Sequence, residues 1–231
     1  MKRHKFVTPL IKRDGVWVIE DPVVVHQMYA VLHLSAGEEC VIGDGSGMDT
    51  LVSLVAVEKK KVVCDVVGTL ENTNDPQIAV TLCCAILKSD HFVDVVQKAT
   101  EIGVRTIVPL ITARTIKKDV NMTRLQTIIR EAAEQSNRGI LPILEIPVLF
   151  KNVFSQHPSP FVFLTQGGEE KSIVGGAAQL TLFVGPEGGW TDEEIAMAKE
   201  RGALMRSLGK LVLRAETAAI TGSYLGCHGL L

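Results

Sequence analysis

Aromatic residues are scarce in this chain of 231 residues: Phe, Trp and Tyr make up 5% of it, whereas hydrophobic residues make up 46%. A core of that composition is built from Val, Ile, Leu and Ala, which is typical of a buried, largely parallel sheet flanked by helices. No apolar run approaches the eighteen or so residues of a membrane span, and no apolar segment of a signal peptide follows the basic N-terminus. The sequence therefore predicts an α/β protein with neither feature.

Charge of one sign does not predominate, because 24 Lys and Arg residues stand against 26 Asp and Glu residues. The overall charge therefore gives no sign of nucleic-acid binding, and any RNA surface must be a local patch. None of the five cysteines has metal-ligand spacing; they lie at positions 40, 64, 83, 84 and 227. We expect buried, inert thiols in a reducing cytoplasm, and no bound metal.

The pattern of the sequence changes once, near residue 73. Residues 1–72 contain short strands and turns, and "GDGSG" between two alternating strands predicts a hairpin turn rather than a nucleotide-binding loop. The polar, turn-rich "ENTNDP" (Glu71–Pro76) is the best candidate for a linker. Strands then alternate with helices. We predict a small β-rich domain over 1–72 and an α/β domain with a parallel sheet over 73–231.

Two helices of the predicted α/β domain are amphipathic and end at a glycine. The first, in "HFVDVVQKATEIGV", has five apolar residues on one side: Phe92, Val95, Val96, Ala99 and Ile102. The second, in "MTRLQTIIREAAEQSNRG", has a similar face: Leu125, Ile128, Ile129, Ala132 and Ala133. We expect both faces to pack on the sheet.

The stretch "LFVGPEGGWTDEEI" joins a predicted strand to a helix through a bare loop, Gly185–Gly189. Thr191 and Glu194 have capping-box spacing and fix the start of the helix. Ligands of open α/β sheets bind at such strand-to-helix loops, and glycines let a ligand approach the backbone closely. The alternative is a tight turn without a ligand. The spacing fits neither of the common phosphate-binding loops.

A second unusual stretch, "SLGKLVLRAETAA", places three apolar residues, Leu211–Leu213, where a loop is predicted. Loops run over the wet surface of a protein, so an apolar loop needs a reason. It either lines a pocket for a flat apolar ring or lies beneath another loop.

These two stretches together resemble the signature of the ribosomal RNA small-subunit methyltransferase E family, which belongs to the SPOUT class. The resemblance extends to "VVQKATEIGV" (Val95–Val104), "EAAEQSNR" (Glu131–Arg138) and "VLHLSAGEECVIGDG" in the N-terminal part. It implies a C-terminal α/β domain tied in a trefoil knot and an N-terminal PUA-like β-barrel that helps to hold RNA. It also implies a homodimer that methylates N3 of one uridine in 16S rRNA of the small ribosomal subunit.

The resemblance further implies a cleft for S-adenosylmethionine (SAM), built from three chain segments. The adenine would lie among apolar side chains, and backbone N–H and C=O groups would read its edge. The implied cofactor-binding residues are Leu164, Thr165, Gly185, Pro186, Glu187, Gly188, Gly189, Ser207, Leu208, Gly209, Leu211, Val212 and Leu213.

Arg214 is the first candidate for a catalytic residue, because it lies between the apolar loop and a helix start. Its guanidinium could orient and polarise the base or hold a phosphate; the alternative is an ion pair with Glu216 or Glu187. Glu187 is expected to shape the loop or to order the ammonium end of the cofactor. A loop carboxylate is too acidic for an efficient general base. Arg138 suits contact with RNA or the active site, or else with a helix end.

Candidate RNA-binding cations lie in two groups. Arg114, Lys117 and Lys118 form a basic cluster in the α/β domain. Related enzymes carry arginines around the short N-terminal helix, where this chain has Ala30 and His33. We expect the N-terminal cations to take their place: Lys2, Arg3, Lys5, Lys12 and Arg13.

Small and apolar residues of the last predicted helix suit close packing, either in a dimer or within one chain; they include Ala218, Ala219, Gly222 and Leu225. Two other functions remain open from the sequence. One is a related SPOUT enzyme that methylates another nucleotide or a ribose 2′-OH. The other is a non-catalytic RNA-binding protein.

Overall fold

The chain folds into two units, which the computed structural model describes over residues 3–169 and 177–230. The first unit contains the described residues up to Asp75 together with Ala133–Leu141. The second contains Pro76–Ala132 and the described residues from Pro142 onward. The chain thus returns to the first unit after the start of the second. The sequence pattern predicted a single boundary after residue 72, so it did not predict that residues 133–141 belong to the first unit.

The first unit is built on a sheet that accounts for the β-rich pattern of its sequence. Its elements are β1 (His4–Val7), β2 (Ile11–Arg13), β3 (Val16–Ile19), α1 (Pro22–His26), β4 (Glu39–Gly43), β5 (Met48–Val57) and β6 (Val62–Glu71). A π-helical turn over Gln27–Val31 continues α1. The strand order is β1-β4-β5-β6-β3-β2, parallel between β1 and β4 and antiparallel elsewhere.

The closed barrel that the resemblance implies is not seen in this strand pairing. In the described part of the chain, no hydrogen-bonded ladder joins β1 to β2, so the paired strands form an open sheet. The core of this unit is mostly aliphatic: Ile19, Val24, Met28 and Leu54 are at 1% exposure or less, together with the aromatic Phe6. The predicted hairpin turn at "GDGSG" is confirmed, because it joins the antiparallel strands β4 and β5.

The predicted linker Glu71–Pro76 contains the division between the two units, which falls between Asp75 and Pro76, and two of its side chains are hydrogen-bonded. Asn72 is buried and donates from Nδ2 to Asp49 Oδ2 at 2.8 Å. The Asp75 carboxylate accepts hydrogen bonds from the backbone N–H groups of Gly139–Ile140 at 2.9 and 3.0 Å. A polar, turn-rich segment can therefore be a fixed part of the structure when its side chains satisfy backbone donors.

The second unit shows the predicted alternation of strands and helices. Its elements are β7 (Ala79–Ala85), α2 (His91–Ile102), β8 (Thr106–Ile111), α3 (Met122–Gln135), β9 (Ile143–Leu144), β10 (Val148–Leu149), α4 (Phe150–Val153), β11 (Phe161–Glu169), β12 (Gln179–Val184), α5 (Asp192–Glu200), β13 (Leu204–Arg206) and α6 (Ala215–Cys227). The last residues of α3 extend into the first unit.

All strand pairs described in the second unit are parallel, which confirms the α/β class. The strand order is β10-β8-β7-β12-β11-β13, with β9 also pairing with β8. In β12, Leu180, Leu182 and Phe183 are fully buried, as expected for a strand covered on both faces. No helix in residues 3–169 and 177–230 is long and apolar enough to cross a membrane.

The helices form where the apolar periodicity predicts them. Four of the five expected residues on α2 and four of the five on α3 are buried; Ile102 and Ile128 are half-buried. Gly103 ends α2 in the left-handed region at φ 109°. The capping box at the start of α5 is also confirmed. Thr191 accepts from the backbone N–H of Glu194, whose carboxylate accepts from the Thr191 N–H at 3.0 Å.

The few aromatic residues are concentrated rather than dispersed. Five of the seven phenylalanines lie in one buried cluster of the second unit: Phe150, Phe154, Phe161, Phe163 and Phe183. Trp190 completes it, with its ring centroid 4.2 Å from that of Phe163. The expectation of a purely aliphatic core is therefore wrong for this side of the sheet.

Candidate functional site

A cavity of about 890 Å³ lies at the carboxyl ends of β7, β12 and β13 in the second unit. The residues that line it lie within four stretches of the chain: 88–91, 164–166, 184–195 and 207–218. This is the edge of an open α/β sheet at which ligands bind, and the volume is within the usual range for small-molecule sites.

All thirteen residues predicted to bind a cofactor line this one cavity. They come from three separate segments, so the fold brings together residues that are up to 49 positions apart in the sequence. One detail differs from expectation. Leu164 and Thr165 do not end their strand, because β11 continues to Glu169. Its pairing with β13 shifts register between Leu164 and Glu169, and Thr165 faces the cavity within that irregular part.

The glycines of the Gly185–Gly189 loop serve different purposes. A Cβ on Gly185 would lie 3.0–3.2 Å from atoms of the Trp190 ring, so this glycine makes room for the indole. Gly189 has φ +70°, a conformation that other residues adopt only with strain. The expectation that the glycines leave space for a ligand is therefore incomplete. At Gly185, an internal side chain occupies that space.

Trp190 also lines the cavity, although it was not predicted from the sequence as a site residue. Its Nε1–H donates to the carbonyl oxygen of Leu164 at 3.0 Å, and its ring packs on Phe163. The side chain is 8% exposed and lines the cavity from below the loop. The rarity of tryptophan in the chain, directly after two glycines, was the available signal.

The apolar loop lies open beside the cavity. Leu211 is 82% exposed and Val212 is 78% exposed, whereas Leu213 is half-buried. In the part of the chain that the structure describes, the first two side chains are thus not covered by another loop. Of the two interpretations of this segment, the structure favours an apolar lining that is available to a ligand.

Glu187 fixes one side of the loop to a neighbouring segment. Its Oε1 accepts a hydrogen bond from the backbone N–H of Lys88 at 2.9 Å, which links the loop to the connection between β7 and α2. This contact agrees with the predicted loop-shaping role. Lys88, Ser89 and His91 also line the cavity, although no sequence motif indicated them.

Arg214 is the N-cap residue of α6 and its side chain is 82% exposed at the cavity. Its guanidinium lies 3.9 Å from Oε1 of Glu216, and Nδ1 of His91 lies 3.7 Å from the same oxygen. The predicted ion pair with Glu216 is therefore present. A long contact to one carboxylate leaves most of the guanidinium open to solvent, and thus to a substrate.

The acidic groups at the cavity also act on a thiol behind it. Burial raises the pKa of Cys84 well above its ordinary value, and the carboxylates of Glu187 and Glu216 raise it further. Cys84 is fully buried on β7. It is therefore a neutral packing residue and not a nucleophile.

Comparison with known proteins identifies the family. Residues 73–224 match the RNA methyltransferase domain family. A protein named ribosomal RNA small subunit methyltransferase E from Synechocystis is 33% identical over 205 residues, 84% of this chain and 67% of the relative. Another of the same name, from Rickettsia conorii, is 31% identical over 88% of each chain. The chain belongs to the ribosomal RNA small subunit methyltransferase E family.

A solved structure from the same family extends the comparison to three dimensions. Ribosomal RNA small subunit methyltransferase E from Neisseria gonorrhoeae, bound to S-adenosyl methionine, matches with a TM-score of 0.86 and 26% identity. The match covers 96% of this chain and 95% of that chain. The fold described above is thus shared by a family member that holds this methyl donor.

Arg138 forms a buried ion pair in the first unit. Its side chain is 4% exposed in the first unit and donates from Nε to Asp75 Oδ1 at 2.7 Å. It does not line the cavity. This ion pair with Asp75 was not among the roles considered from the sequence, and a catalytic role for Arg138 stays a prediction.

The candidate RNA-binding cations of the first unit differ in their availability. Lys5 is buried, with Nζ 2.7 Å from Asp49 Oδ1, so it cannot serve as a phosphate contact. Arg3 and Arg13 are exposed, and each pairs with a glutamate. Nζ of Lys12 lies 5.5 Å from the centroid of the Trp17 ring. The remaining candidate, Lys2, lies outside the described residues.

The basic cluster of the second unit is exposed. Arg114 donates from NH1 to the carbonyl oxygen of Gly188 at 2.6 Å, so it braces the cavity loop. Lys117 and Lys118 are exposed beyond it. In the described residues, no group of His, Cys, Asp and Glu is arranged to hold a metal ion.

The small residues of α6 pack within their own unit. A Cβ on Gly222 would lie 2.7 Å from Leu164 and 3.1 Å from Leu182, and Ala219 is fully buried. These two residues therefore pack within one chain, which was the alternative to a dimer contact. Tyr224 is 51% exposed on the same helix.

Proposed function

We propose that this chain transfers a methyl group from SAM to N3 of one uridine in the 16S rRNA of the small ribosomal subunit. The observation that carries the proposal is the cavity at which the three predicted segments meet, one of which is the exposed apolar loop. Support comes from the family member of N. gonorrhoeae, which shares the fold and is bound to SAM.

The residues at the cavity fit an adenosyl group. Leu211 and Val212 expose apolar side chains that an adenine ring would cover, and such burial of apolar surface is favourable. The Gly185–Gly189 loop offers backbone donors and acceptors at the edge of the same space. We assign the cofactor to the thirteen residues named from the sequence, with Trp190 supporting them from behind.

SAM held by these residues would supply a methyl group on a sulfonium: the N3–C bond would form as the C–S bond breaks, a neutral thioether would leave, and the N3 proton would pass to solvent. The acceptor is the more difficult partner, because uridine N3 carries a proton and becomes nucleophilic only as negative charge develops on the ring. Arg214 is exposed at the cavity and would stabilise that charge at O2 or O4. Glu187 is engaged by the Lys88 backbone, which suits an ordering role better than proton transfer.

The finer architecture belongs to the same proposal. We assign residues 1–72 to a PUA-like RNA-binding domain and 73–231 to a SPOUT methyltransferase domain with a trefoil knot. The proposed protein is a homodimer that acts on rRNA or on the small subunit in the cytoplasm. The sequence resemblance and the family membership support this assignment. Arg3, Lys12, Arg13, Arg114, Lys117 and Lys118 remain its candidate RNA contacts.

The direct test is methylation of rRNA from a strain that lacks the gene. The purified protein is incubated with small subunits of that strain and SAM, and the modified nucleotide is mapped by mass spectrometry. We expect one 3-methyluridine in 16S rRNA. A methyl group on another atom or nucleotide would favour the related-enzyme alternative. Absence of any methyl transfer, together with a flat calorimetric titration with SAM, would favour the non-catalytic alternative.

A further inference from the structure

The hairpin of β5 and β6 in the first unit ends in an exposed turn with three consecutive lysines. The turn is Glu58–Lys61, and all four of its residues are exposed. The backbone N–H of Glu58 donates to the carbonyl oxygen of Lys61 at 2.9 Å and closes it. Val57 and Val62 pair directly below. We refer to Lys59–Lys61 as the lysine tip.

The requirements of folding do not account for the lysine tip. Tight hairpin turns favour Gly, Asn and Asp, whose backbone and side chains suit the geometry. Lysines often protect the edge of a sheet from pairing with another chain. However, β5 and β6 are the two central strands of the order β1-β4-β5-β6-β3-β2, so neither is an edge. Three like charges in one turn also repel one another.

The lysine tip concentrates positive charge in a part of the chain that is otherwise acidic. Residues 1–75 carry eight Lys and Arg against eleven Asp and Glu, so this part of the chain has no general attraction for a polyanion. Within the described residues, no carboxylate lies within 4.0 Å of Lys59 or Lys60. Lys61 has only a 4.0 Å contact with Glu58. The other cations of the unit that the structure describes are buried, paired or stacked, as reported above.

We propose that the lysine tip binds the phosphate backbone of the RNA substrate. The proposal rests on the RNA substrate of the proposed function and adds a docking site that neither the motifs nor the family match indicates. Flexible ammonium groups suit phosphate, because they position a nucleic acid without reading its sequence. Each neutralised phosphate releases counterions, so the contact has a defined dependence on salt.

The test compares two matched variants of the full chain, each with two exposed lysines made neutral. The tip variant is Lys59→Gln with Lys60→Gln; the control is Lys151→Gln with Lys199→Gln, in the second unit. Binding of a fluorescein-labelled transcript of 16S rRNA is measured by anisotropy at several salt concentrations. SAM binding is measured by calorimetry, and the thermal midpoint checks folding.

We expect the tip variant to bind the transcript roughly 20-fold more weakly at 0.1 M salt, with a salt slope lower by about 1.4. The control keeps the wild-type affinity and slope, and all proteins bind SAM equally. An unrelated transcript of the same length should lose affinity to the same extent. Wild-type affinity and slope in the tip variant would overturn the proposal. Because binding is read without methyl transfer, this outcome is distinct from failure of the proposed function.

Discussion

The indole N–H of Trp190 donates a hydrogen bond to the carbonyl oxygen of Leu164 at 3.0 Å, across 26 positions of sequence. This bond joins the loop that follows β12 to the irregular segment of β11, and both line the cavity. Arg114 holds the same loop from the other side, through the carbonyl oxygen of Gly188. The loop is therefore held by two side-chain hydrogen bonds near its carboxyl end, whereas a run of glycines alone would indicate a free loop.

Replacement of Trp190 by Phe should separate the hydrogen bond from the ring packing. The smaller ring still packs on Phe163, but Leu164 loses a donor. We expect a loss of about 1 kcal/mol in the free energy of unfolding, measured in urea. SAM affinity should fall several-fold in calorimetry, because the two segments are no longer tied. Trp17→Phe, in the first unit, is the control and should leave SAM affinity unchanged. Equal losses in both variants would contradict this role.

Gly185→Ala should disturb the site through the same indole. The added methyl group would lie 3.0–3.2 Å from the Trp190 ring, so the ring or the loop must move. Overpacking of this kind costs about 1–3 kcal/mol. We expect SAM affinity to fall by at least tenfold. Gly68→Ala in β6 is the matched control, since a Cβ there has no atom within 4 Å. A neutral Gly185→Ala would show that the indole does not require the glycine.

Glu187 offers a test between loop shaping and proton transfer. Glu187→Gln keeps an oxygen that can accept from the Lys88 N–H, whereas Glu187→Ala removes it. For loop shaping, we expect Gln to retain kcat within about fivefold and Ala to weaken SAM binding. A general base would instead lose about 10²–10⁴ in rate with Gln at unchanged SAM affinity. Methylation kinetics with calorimetry of both variants decide between the two.

Local features of the site could be predicted from sequence because they depend on neighbouring residues. The capping box of Thr191 and Glu194 needs only three residues of spacing, and the helix starts where it predicts. Its second contact could not be predicted. Glu194 Oε1 also accepts from the backbone N–H of Ala113 at 2.8 Å, 81 positions away. The capping residue therefore also ties α5 to the end of β8.

Pairs of charged residues that are far apart in the sequence explain why the settings of Lys5 and Asp75 were not predicted. Lys5 looked like a free cation, but β4 and β5 bring Asp49 against it, 44 positions away. Asp75 lies at the division between the units, as the linker prediction has it, but its bond to Arg138, 63 positions away, was not predicted. In both cases a charged side chain in an apparently exposed segment is buried with an opposite charge. Periodicity gives no information on such pairs, because their partners depend on how distant strands and loops meet.

The cysteines give a prediction on pH. Burial raises the pKa of Cys40 from 9.0 to about 12 and that of Cys64 to about 11. The folded state therefore favours the neutral thiols. Their contribution to stability is complete below pH 9 and is lost as the pH rises towards 11–12. Unfolding in urea at pH 8–11 should show a smaller loss of stability for a Cys40→Ala, Cys64→Ala variant than for the wild type. The same dependence of the free energy of unfolding on pH in both proteins would contradict this prediction.

The same burial predicts that the native protein is inert to thiol reagents. All five cysteines lie in the described residues, where they are buried and form no disulfide. We expect no reaction with Ellman's reagent at pH 8 in the native state and five thiols per chain in denaturant. Rapid native labelling of any cysteine would show that its site opens.

Arg214 should affect the chemical step more than cofactor binding. Its guanidinium is exposed at the cavity and makes only a 3.9 Å contact with Glu216. Removing one positioned donor from developing charge costs about 10²–10³ in kcat. We therefore expect Arg214→Ala to lower kcat by about 100-fold while the Kd for SAM stays within about threefold of the wild type. Arg201→Ala, an exposed arginine at the end of α5, is the control and should be fully active.

Arg214→Lys tests the geometry of the same group. Lysine keeps the positive charge but loses the planar pair of donors, so a group that contacts two atoms of the base is not replaced by it. We expect Arg214→Lys to recover less than a tenth of the wild-type kcat. Full activity with lysine would reduce the role of Arg214 to a point charge. Loss of SAM binding in Arg214→Ala, with kcat preserved at saturation, would instead place the guanidinium on the cofactor.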